Sequence, residues 1–559
     1  MVTSPDPDTA RRRSPIRLPA IAFEPLATPG ANPEVVPASG LWWLTLLTTA
    51  LAIVAPLLVT ELPPLLDYPN HLARMDVLAH GAADPILSRM YATQWRILPN
   101  IGMDTIMPAM LHLMPLEVVG RCMIGVALLL PFFGSVFLHA SLFHRRSLWP
   151  LSTALVVYNA PLFAGFLNFL IGLGLALLAA AVWVRTLGRP RIRLLTASLF
   201  AIVIFFCHLI ALACYGCLLF ALEIAMATEQ RPGDHLITLP PPARLVGLAL
   251  PFVIPVFLYL QAPLAAAPAA PYWSPLEKVE GVLAGFTTYS PILDGAALVF
   301  ALGTIAWCWR TARLSVARAV LIVVVALCLL YPVAPFAAKG TGFIDQRLAA
   351  LASFLLFAGT LPVGLARRQR AIVSLGIIAI ASMRLLNIAS VWYRHGDDVA
   401  AFRRVIAPIE PGARILVVMV TARDVPNYYD GQPRSRFFLF GHSAIMHLPA
   451  LALIERRAFW PLLFTAPTKQ PLKVLAPYNS IAVDEGMVPS YTWLSAKART
   501  SLPRDAPYLA NWRSSFDYVI VLHAGKLPDA AHLYPEALLP LVITDVAALY
   551  EVRPAATAP

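Results

Sequence analysis

The stretch from Phe166 to Thr186 reads FLNFLIGLGLALLAAAVWVRT and contains a single charged residue, Arg185. At 1.5 Å per residue, a helix of this length crosses about 30 Å, which is the thickness of the hydrocarbon core of a bilayer. The rest of the chain has the same character, because 58% of its 559 residues are hydrophobic and only 13% are charged. Soluble domains carry roughly 25% charged residues. The sequence therefore predicts a polytopic membrane protein and excludes a soluble globule, a coiled coil and a wholly disordered chain.

Ten further apolar runs accompany this one, and each is long enough, or nearly so, to cross a bilayer. They lie at about 41–60, 116–143, 149–165, 194–210, 212–228, 243–263, 292–310, 315–336, 346–365 and 371–392. The sequence thus predicts an all-α bundle of about 11 transmembrane helices. Two alternatives stay open, since 149–186 could hold one span rather than two and 194–228 could be one long tilted helix.

Clusters of arginine between the apolar runs indicate the orientation of the chain. They lie at 11–13, 145–146, 185–193, 310–318 and 367–370. The positive-inside rule places such clusters on the cytoplasmic side. We therefore expect a multi-pass protein of a bacterial inner membrane with a cytoplasmic N-terminus and a periplasmic C-terminus. The net charge of +12 reports this orientation, and no nucleic-acid partner is expected.

This topology divides the chain into three regions. Residues 1–39 are rich in Pro, Ala and Arg and are predicted to be a disordered cytoplasmic tail. Residues 40–392 form the transmembrane domain, whose first outer loop covers 61–115. Residues 393–559 are more polar and contain two β-branched runs bounded by polar residues, which are typical of buried strands. They are predicted to form a periplasmic α/β domain.

The first outer loop begins with PPLLDYPNHLAR at residues 63–74. Pro69 disfavours a helix at the residue before it, so a helix is predicted to begin at Asn70, just after Asp67. His71 and Arg74 are three residues apart and share one face of that helix. In a functional interpretation, Asp67 is a general base or metal ligand, and His71 and Arg74 bind phosphate or sugar hydroxyls. In a structural one, Asp67 stabilises the helix N-terminus and Arg74 extends to lipid headgroups.

A second candidate site is the sequence GTGFIDQR at 340–347, where a glycine-bearing loop enters a predicted helix. Free N–H groups at a helix N-terminus bind phosphate, and Arg347 adds a bidentate donor with Lys339 close by in sequence. His208 lies at the predicted outer break between two short spans. Arg384 is an ionisable residue inside the last span, where it either extends to the interface or has a function.

The layout resembles the C-superfamily of membrane glycosyltransferases, the GT-C fold. The resemblance rests on Asp67 just past the first span, on His71 shortly after it, and on the Cys207-His208-Leu209 sequence at an outer break. The family often carries two adjacent acids in its first loop, whereas here Tyr68 follows Asp67. No cofactor is assigned, and a divalent metal ion stays open.

The resemblance implies inverting transfer of a sugar from a polyprenyl-phosphate carrier to a glycan, lipid or protein acceptor outside the cytoplasm. Asp67 would be the catalytic base. Arg74, Lys339 and Arg347 would bind the carrier phosphate, and His71 and His208 would orient the substrate. Membrane lipid is the remaining expected partner, since the apolar spans would hold the polyprenyl tail.

Two other classes of function remain open. A transporter or lipid flippase would place ionisable groups along a path through the bundle, and the sequence offers only Arg121, His139 and Arg384. A non-catalytic membrane assembly factor would present the 393–559 domain and would leave the acidic first loop without a role.

Overall fold

The computed structural model describes residues 22–26, 39–230, 237–438, 441–495 and 506–553. In these ranges the chain forms a helical bundle with a small sheet-containing domain at one end. Eight described helices are long and apolar enough to cross a membrane. They are Ser39–Leu58, Leu116–Leu142, Leu167–Arg185, Pro190–Cys207, Leu209–Glu229, Pro242–Gln261, Pro291–Arg310 and Arg367–Ile406. The prediction of a polytopic helical bundle is confirmed at this level.

Two further predicted spans form shorter helices, Arg318–Val333 with 16 residues and Ile344–Ala358 with 15. Apolar side chains such as Val253, Phe257 and Leu260 are exposed on the outside of the bundle, as expected where lipid replaces water. The remaining short helices are Tyr68–His80, Leu87–Met90, Gly102–Leu111, Ala160–Phe163, Pro263–Ala266, Pro275–Gly281, Ala450–Arg456 and Trp512–Ser515.

The predicted span 149–165 differs from the expectation of a helix. Trp149–Leu155 is a 3₁₀ segment and Ala160–Phe163 is a single helical turn, with irregular backbone between them. Most of these residues are buried inside the protein. Irregular backbone is tolerated at membrane depth where protein rather than lipid surrounds it, so burial explains this departure from a helix.

The two ends of this segment lie at opposite ends of the bundle. Trp149 Nε1 donates a hydrogen bond to Thr360 Oγ1 at 3.1 Å, next to the arginine-rich 367–370 cluster. The backbone N–H of Asp67 donates to the carbonyl oxygen of Ala164 at 3.3 Å. The chain therefore crosses the bundle here without forming a spanning helix.

Arg384 satisfies part of this irregular backbone. Its Nη2 donates to the carbonyl oxygens of Phe286 at 2.9 Å and Tyr158 at 3.4 Å, and its Nη1 pairs with the carboxylate of Asp294. Asp294 also accepts hydrogen bonds from the N–H and hydroxyl groups of Thr288, both at 2.6 Å. Arg384 thus binds protein groups inside the bundle rather than extending to the interface.

The C-terminal domain is built on a four-stranded sheet. The strands predicted from the two β-branched runs, Ile415–Met419 and Tyr518–Leu522, lie side by side and parallel, and Ala547–Val552 and Leu538–Ile543 add antiparallel partners. The Arg367–Ile406 helix has 40 residues and is therefore about 60 Å long, so it continues beyond the bundle into this domain. We call the end of the bundle that carries this domain the domain end, and the opposite end the basic end.

Two small sheets join distant parts of the chain. Tyr91–Thr93 pairs antiparallel with Leu472–Val474, which attaches the first loop to the C-terminal domain. Leu314–Ala317 pairs with Ala22–Glu24 and with Thr360–Pro362 at the basic end. Residues 1–39 were predicted to be a disordered tail, and most of them, 1–21 and 27–38, lie outside the described residues. The described part of this tail contains the strand Ala22–Glu24.

Candidate functional site

A cavity of about 330 Å³ lies at the domain end, between the bundle and the C-terminal domain. Its polar lining residues are Asp67, His71, Asn100, Asn168, His208, Thr341, Arg347, His442, His447, Lys469, Gln470 and Glu485. Four of the six predicted site residues, Asp67, His71, His208 and Arg347, are therefore brought together in one cavity.

Asp67 stands at the N-cap position of the Tyr68–His80 helix, which begins two residues earlier than predicted. Pro69 occupies the first turn, where the missing N–H of proline costs no helical hydrogen bond. The Asp67 carboxylate makes no capping bond to its own helix, and 19% of the side chain is exposed. The carboxylate is consequently available to the cavity.

Gly165 fixes the position of Asp67 from the other side. Its φ is +86°, and a Cβ built there would lie 2.9 Å from both the Cβ and the backbone N of Asp67. Residues other than glycine rarely adopt this backbone conformation, and at this position a Cβ would also lie too close to Asp67. The turn of chain before the Leu167–Arg185 helix thus requires glycine to hold Asp67 in place.

Two histidines flank the carboxylate. Nδ1 of His447 lies 3.3 Å from Oδ1 of Asp67. Burial, and after it the positive charge of Arg74, lower the pKa of His71 to about 3, although the negative charge of Asp67 opposes the shift. His71 is therefore neutral near pH 7, and its buried Nδ1 has no hydrogen-bond partner.

Arg347 brings a buried positive charge to the cavity. Its side chain is only 3% exposed, its guanidinium lies 4.1 Å from the ring centre of Phe166, and its Nη1 donates to the carbonyl oxygen of Gly342. Its Nε has no partner. Within the described residues, no carboxylate lies in ion-pair distance of Arg347. The carboxylate nearest in sequence, that of Asp345, pairs with Lys278 at 3.1 Å. A buried cation in this state favours binding of an anion.

His208 and Asn168 complete the side of the cavity formed by the bundle. Nδ1 of His208 accepts a hydrogen bond from the N–H of Ile210 at 3.1 Å, which leaves Nε2 for a ligand. The amide of Asn168 accepts from the N–H of Met103 at 3.0 Å and donates to the carbonyl of Asn100 at 2.9 Å. Asn168 thus holds the first loop in place with both ends of its amide.

The structure places the other two predicted site residues outside the lining of the cavity. Arg74 is 1% exposed and forms a bidentate pair with Asp104, at 2.7 Å for Nε–Oδ1 and 3.2 Å for Nη2–Oδ2. Lys339 donates from Nζ to three backbone carbonyls between Leu264 and Ala267, at 2.9 to 3.1 Å. Arg74 is thus paired with a carboxylate, although its buried Nη1 has no partner, and the ammonium of Lys339 is bound to backbone carbonyls.

The C-terminal domain supplies residues that the sequence did not single out for this cavity. Besides His447 these include Lys469, whose Nζ contacts the carboxylate of Glu485 and the carbonyl oxygen of Gly340. No local motif marks either residue, and the one signal for His447 is a histidine inside an apolar segment. Across the described ranges, no group of three or more His, Cys, Asp or Glu side chains could hold a metal ion.

No family model matches the sequence, and a search of curated proteins finds no match. Among solved structures, the chain is similar to the crystal structure of ArnT from Cupriavidus metallidurans bound to undecaprenyl phosphate. The TM-score is 0.46 with 11% sequence identity, and the alignment covers 93% of this chain and 100% of the other.

Proposed function

We propose that this protein is a membrane glycosyltransferase of the GT-C type, which moves a sugar from a polyprenyl-phosphate carrier to an acceptor outside the cytoplasm. One observation carries the proposal. A carboxylate that is free of its own helix, Asp67, and a buried cation without a carboxylate partner, Arg347, line the same cavity at one end of an apolar bundle. Sugar transfer from a lipid phosphate needs both a base and a cation.

Asp67 is the base in this reaction. The acceptor hydroxyl attacks the anomeric carbon of the sugar, the bond from that carbon to the phosphate oxygen breaks, and the hydroxyl proton passes to the Asp67 carboxylate. A single displacement inverts the configuration at the carbon. The products are the glycosylated acceptor and the polyprenyl phosphate.

Arg347 stabilises the phosphate that leaves. Negative charge develops on the phosphate oxygens as the bond breaks, and a guanidinium in a water-poor site stabilises that charge more strongly than it would in bulk water. Nδ1 of His71 has no hydrogen-bond partner, and Nε2 of His208 remains for a ligand because Nδ1 accepts from the backbone. Both rings can therefore orient the sugar and its acceptor.

The proposed orientation places the cavity on the periplasmic side of the inner membrane. Nη1 of Arg146 donates to the hydroxyl of Ser39 at 2.9 Å, so this arginine cluster lies where the first helix begins, and Asp67 lies beyond the helix's other end. The basic end would face the cytoplasm by the positive-inside rule. The C-terminal domain would then be periplasmic.

A transporter or flippase remains the second candidate, but the buried ionisable groups of the bundle favour it less. Arg384 is paired with Asp294 and with backbone carbonyls, and Nδ1 of His139 lies 3.2 Å from the carbonyl oxygen of Ala358. Groups engaged in this way stabilise the bundle rather than form a polar path. A non-catalytic assembly factor would not need the charges that converge at the cavity.

The test is transfer of labelled sugar from a panel of polyprenyl-phosphate donors by the full-length protein in detergent. Asp67→Asn is expected to lower turnover about 100-fold or more, because general base catalysis contributes 10² to 10⁴. Asp397→Asn, which changes an exposed carboxylate of the Arg367–Ile406 helix, is the matched control and should keep wild-type turnover. Wild-type turnover by Asp67→Asn would remove the base assignment, and donor movement across proteoliposomes without transfer would favour the flippase.

A further inference from the structure

His447 of the C-terminal domain lies beside Asp67, the proposed base. Its ring is 4% exposed, and its Nδ1 faces Asp67 Oδ1 at 3.3 Å. That distance is within ion-pair range, but the two atoms are not aligned as a hydrogen bond, and Nδ1 has no other partner. Catalytic hydrogen bonds are often long without substrate and tighten when it binds.

The ring of His447 has a fixed platform. It makes edge-to-face contacts with Phe464 at 5.3 Å and with Trp460 at 5.9 Å between ring centres. These contacts hold the plane of the imidazole, because aromatic pairs at this spacing prefer edge-to-face geometry. The direction of Nδ1 is therefore set by the C-terminal domain.

The same platform is bound to the helix that follows Asp67. The fully buried amide of Asn70 accepts a hydrogen bond from the N–H of Phe464 and donates one to the carbonyl of Leu462, both at 2.9 Å. Further along, Arg457 pairs with Asp76 at 2.6 Å and with Asp84 at 2.8 Å. The distance between His447 and Asp67 is thus fixed from both sides.

We propose that His447 is a positioning residue for Asp67, and that the C-terminal domain thereby completes the catalytic site. Nδ1–H of His447 holds one carboxylate oxygen of Asp67 and leaves the second oxygen directed at the acceptor hydroxyl. This inference rests on the proposed role of Asp67 as base. It assigns the C-terminal domain a direct part in the rate of the chemical step, beyond any part in recognising the acceptor.

The orientation of the carboxylate is what the pair contributes. Without a contact to His447, the carboxylate of Asp67 can rotate about its Cβ–Cγ bond. Only some of the resulting orientations direct an oxygen at the proton of the acceptor hydroxyl. Misplacement of a catalytic group by about 1 Å can cost about 100-fold in rate. We expect binding of the sugar donor not to depend on this orientation, because in the proposed function Arg347 rather than Asp67 binds the phosphate.

The test compares two variants of His447. His447→Leu removes the Nδ1–H group, which is the hydrogen-bond donor to Asp67, and keeps a similar side-chain volume. His447→Asn keeps an amide nitrogen that can replace Nδ1. We expect His447→Leu to lower kcat about 100-fold with an unchanged KM for the polyprenyl-phosphate donor. His447→Asn should recover at least tenfold of that loss. His532→Leu, at an exposed histidine of the same domain, is the matched control.

A double variant separates this inference from the proposed function. In an Asp67→Asn background, His447→Leu should cause no further loss, because the two residues act as one unit. Wild-type kcat in His447→Leu would overturn the inference while a slow Asp67→Asn enzyme kept the proposed function intact. A rise in KM alone, or a further full loss in the double variant, would also overturn it. Wild-type turnover in Asp67→Asn would instead overturn the proposed function.

Discussion

The bundle buries two arginines to the same extent, with Arg347 and Arg384 each 3% exposed, but their surroundings differ. Arg384 meets a carboxylate and two backbone carbonyls at the crossing of the bundle. Arg347 meets one carbonyl and the face of a phenylalanine, and no described carboxylate pairs with it. Burial alone therefore does not indicate a function. A buried cation paired with a carboxylate supports the fold, whereas a buried cation without a carboxylate partner favours an anionic ligand.

The largest expected effect is a loss of stability in Arg384→Leu, where the irregular 149–165 segment crosses the bundle. Arg384→Leu leaves Asp294 as a buried unpaired charge and leaves two carbonyls without their donor. Breaking a buried pair from one side costs about 3–5 kcal/mol. We expect little folded protein, measured as the monodisperse fraction in detergent and the midpoint of thermal unfolding.

Arg394→Leu changes an exposed arginine on the same helix and serves as the control for this variant. It should fold as the wild type does. If Arg384→Leu were equally stable, the contrast between the two arginines would be wrong.

Next in size is the effect of Arg347→Met on activity. This change removes a buried charge that has no described carboxylate partner, so the unfolding midpoint should stay within a few degrees of wild type. Sugar transfer should fall about 100-fold, the loss typical for removal of one group that stabilises a developing negative charge. Arg347→Lys keeps the charge and should lose less. Unfolding of Arg347→Met at low temperature would make Arg347 a structural residue like Arg384.

Gly165→Ala should have a smaller effect on the same cavity. The added Cβ would lie 2.9 Å from the backbone N and the Cβ of Asp67, and residues with a side chain rarely adopt the φ of +86° found here, so the backbone of Asp67 must shift and its carboxylate with it. We expect kcat to fall about tenfold, since catalytic groups tolerate little displacement. Gly188→Ala, where nothing lies within 4 Å of the added atom, should leave kcat unchanged. Equal kcat for both variants would show that the position of Asp67 is not critical.

The smallest expected effect is the contribution of His71 to the pH dependence of stability. The folded-state pKa of His71 is about 3, below its ordinary value of 6.5, because burial disfavours the charged ring. The unfolded chain therefore binds a proton first, and the stability from this group is complete above pH 6.5 and is lost as the pH falls toward 3. The thermal midpoint should drop by a few degrees between pH 7 and pH 4.5, and His71→Gln should show a shallower drop. An identical pH slope in His71→Gln and in the exposed-site variant His532→Gln would contradict this assignment.

Sequence alone predicted the part of the site whose signals are local. Asp67 follows an apolar run and precedes a proline, and Arg347 follows a glycine-bearing loop at a helix start. His71 and His208 were predicted from the same neighbourhoods. Each of these residues lies where its own flanking sequence indicates, so the cavity could be anticipated without knowledge of any distant contact.

The rest depended on partners far along the chain. Arg74 and Lys339 were predicted to bind phosphate, but Arg74 pairs with Asp104, 30 residues away, and Lys339 donates to the carbonyl of Ala267, 72 residues away. His447 carries no motif, and its meeting with Asp67 depends on how the C-terminal domain packs on the first loop. Hydropathy also predicted a helix at 149–165, because composition reports burial and does not distinguish irregular buried backbone from a spanning helix.

The hydrogen bonds of Asn70 have a consequence for how the protein is made. They join the first loop to Leu462, 392 residues later in the chain. At about 5–20 residues per second, a ribosome needs roughly 20–80 s to cover that distance. During that interval the nascent chain already carries Asp67 and lacks the wall that closes around it. The cavity that contains Asp67 is therefore complete only once the residues around Leu462 have been synthesised.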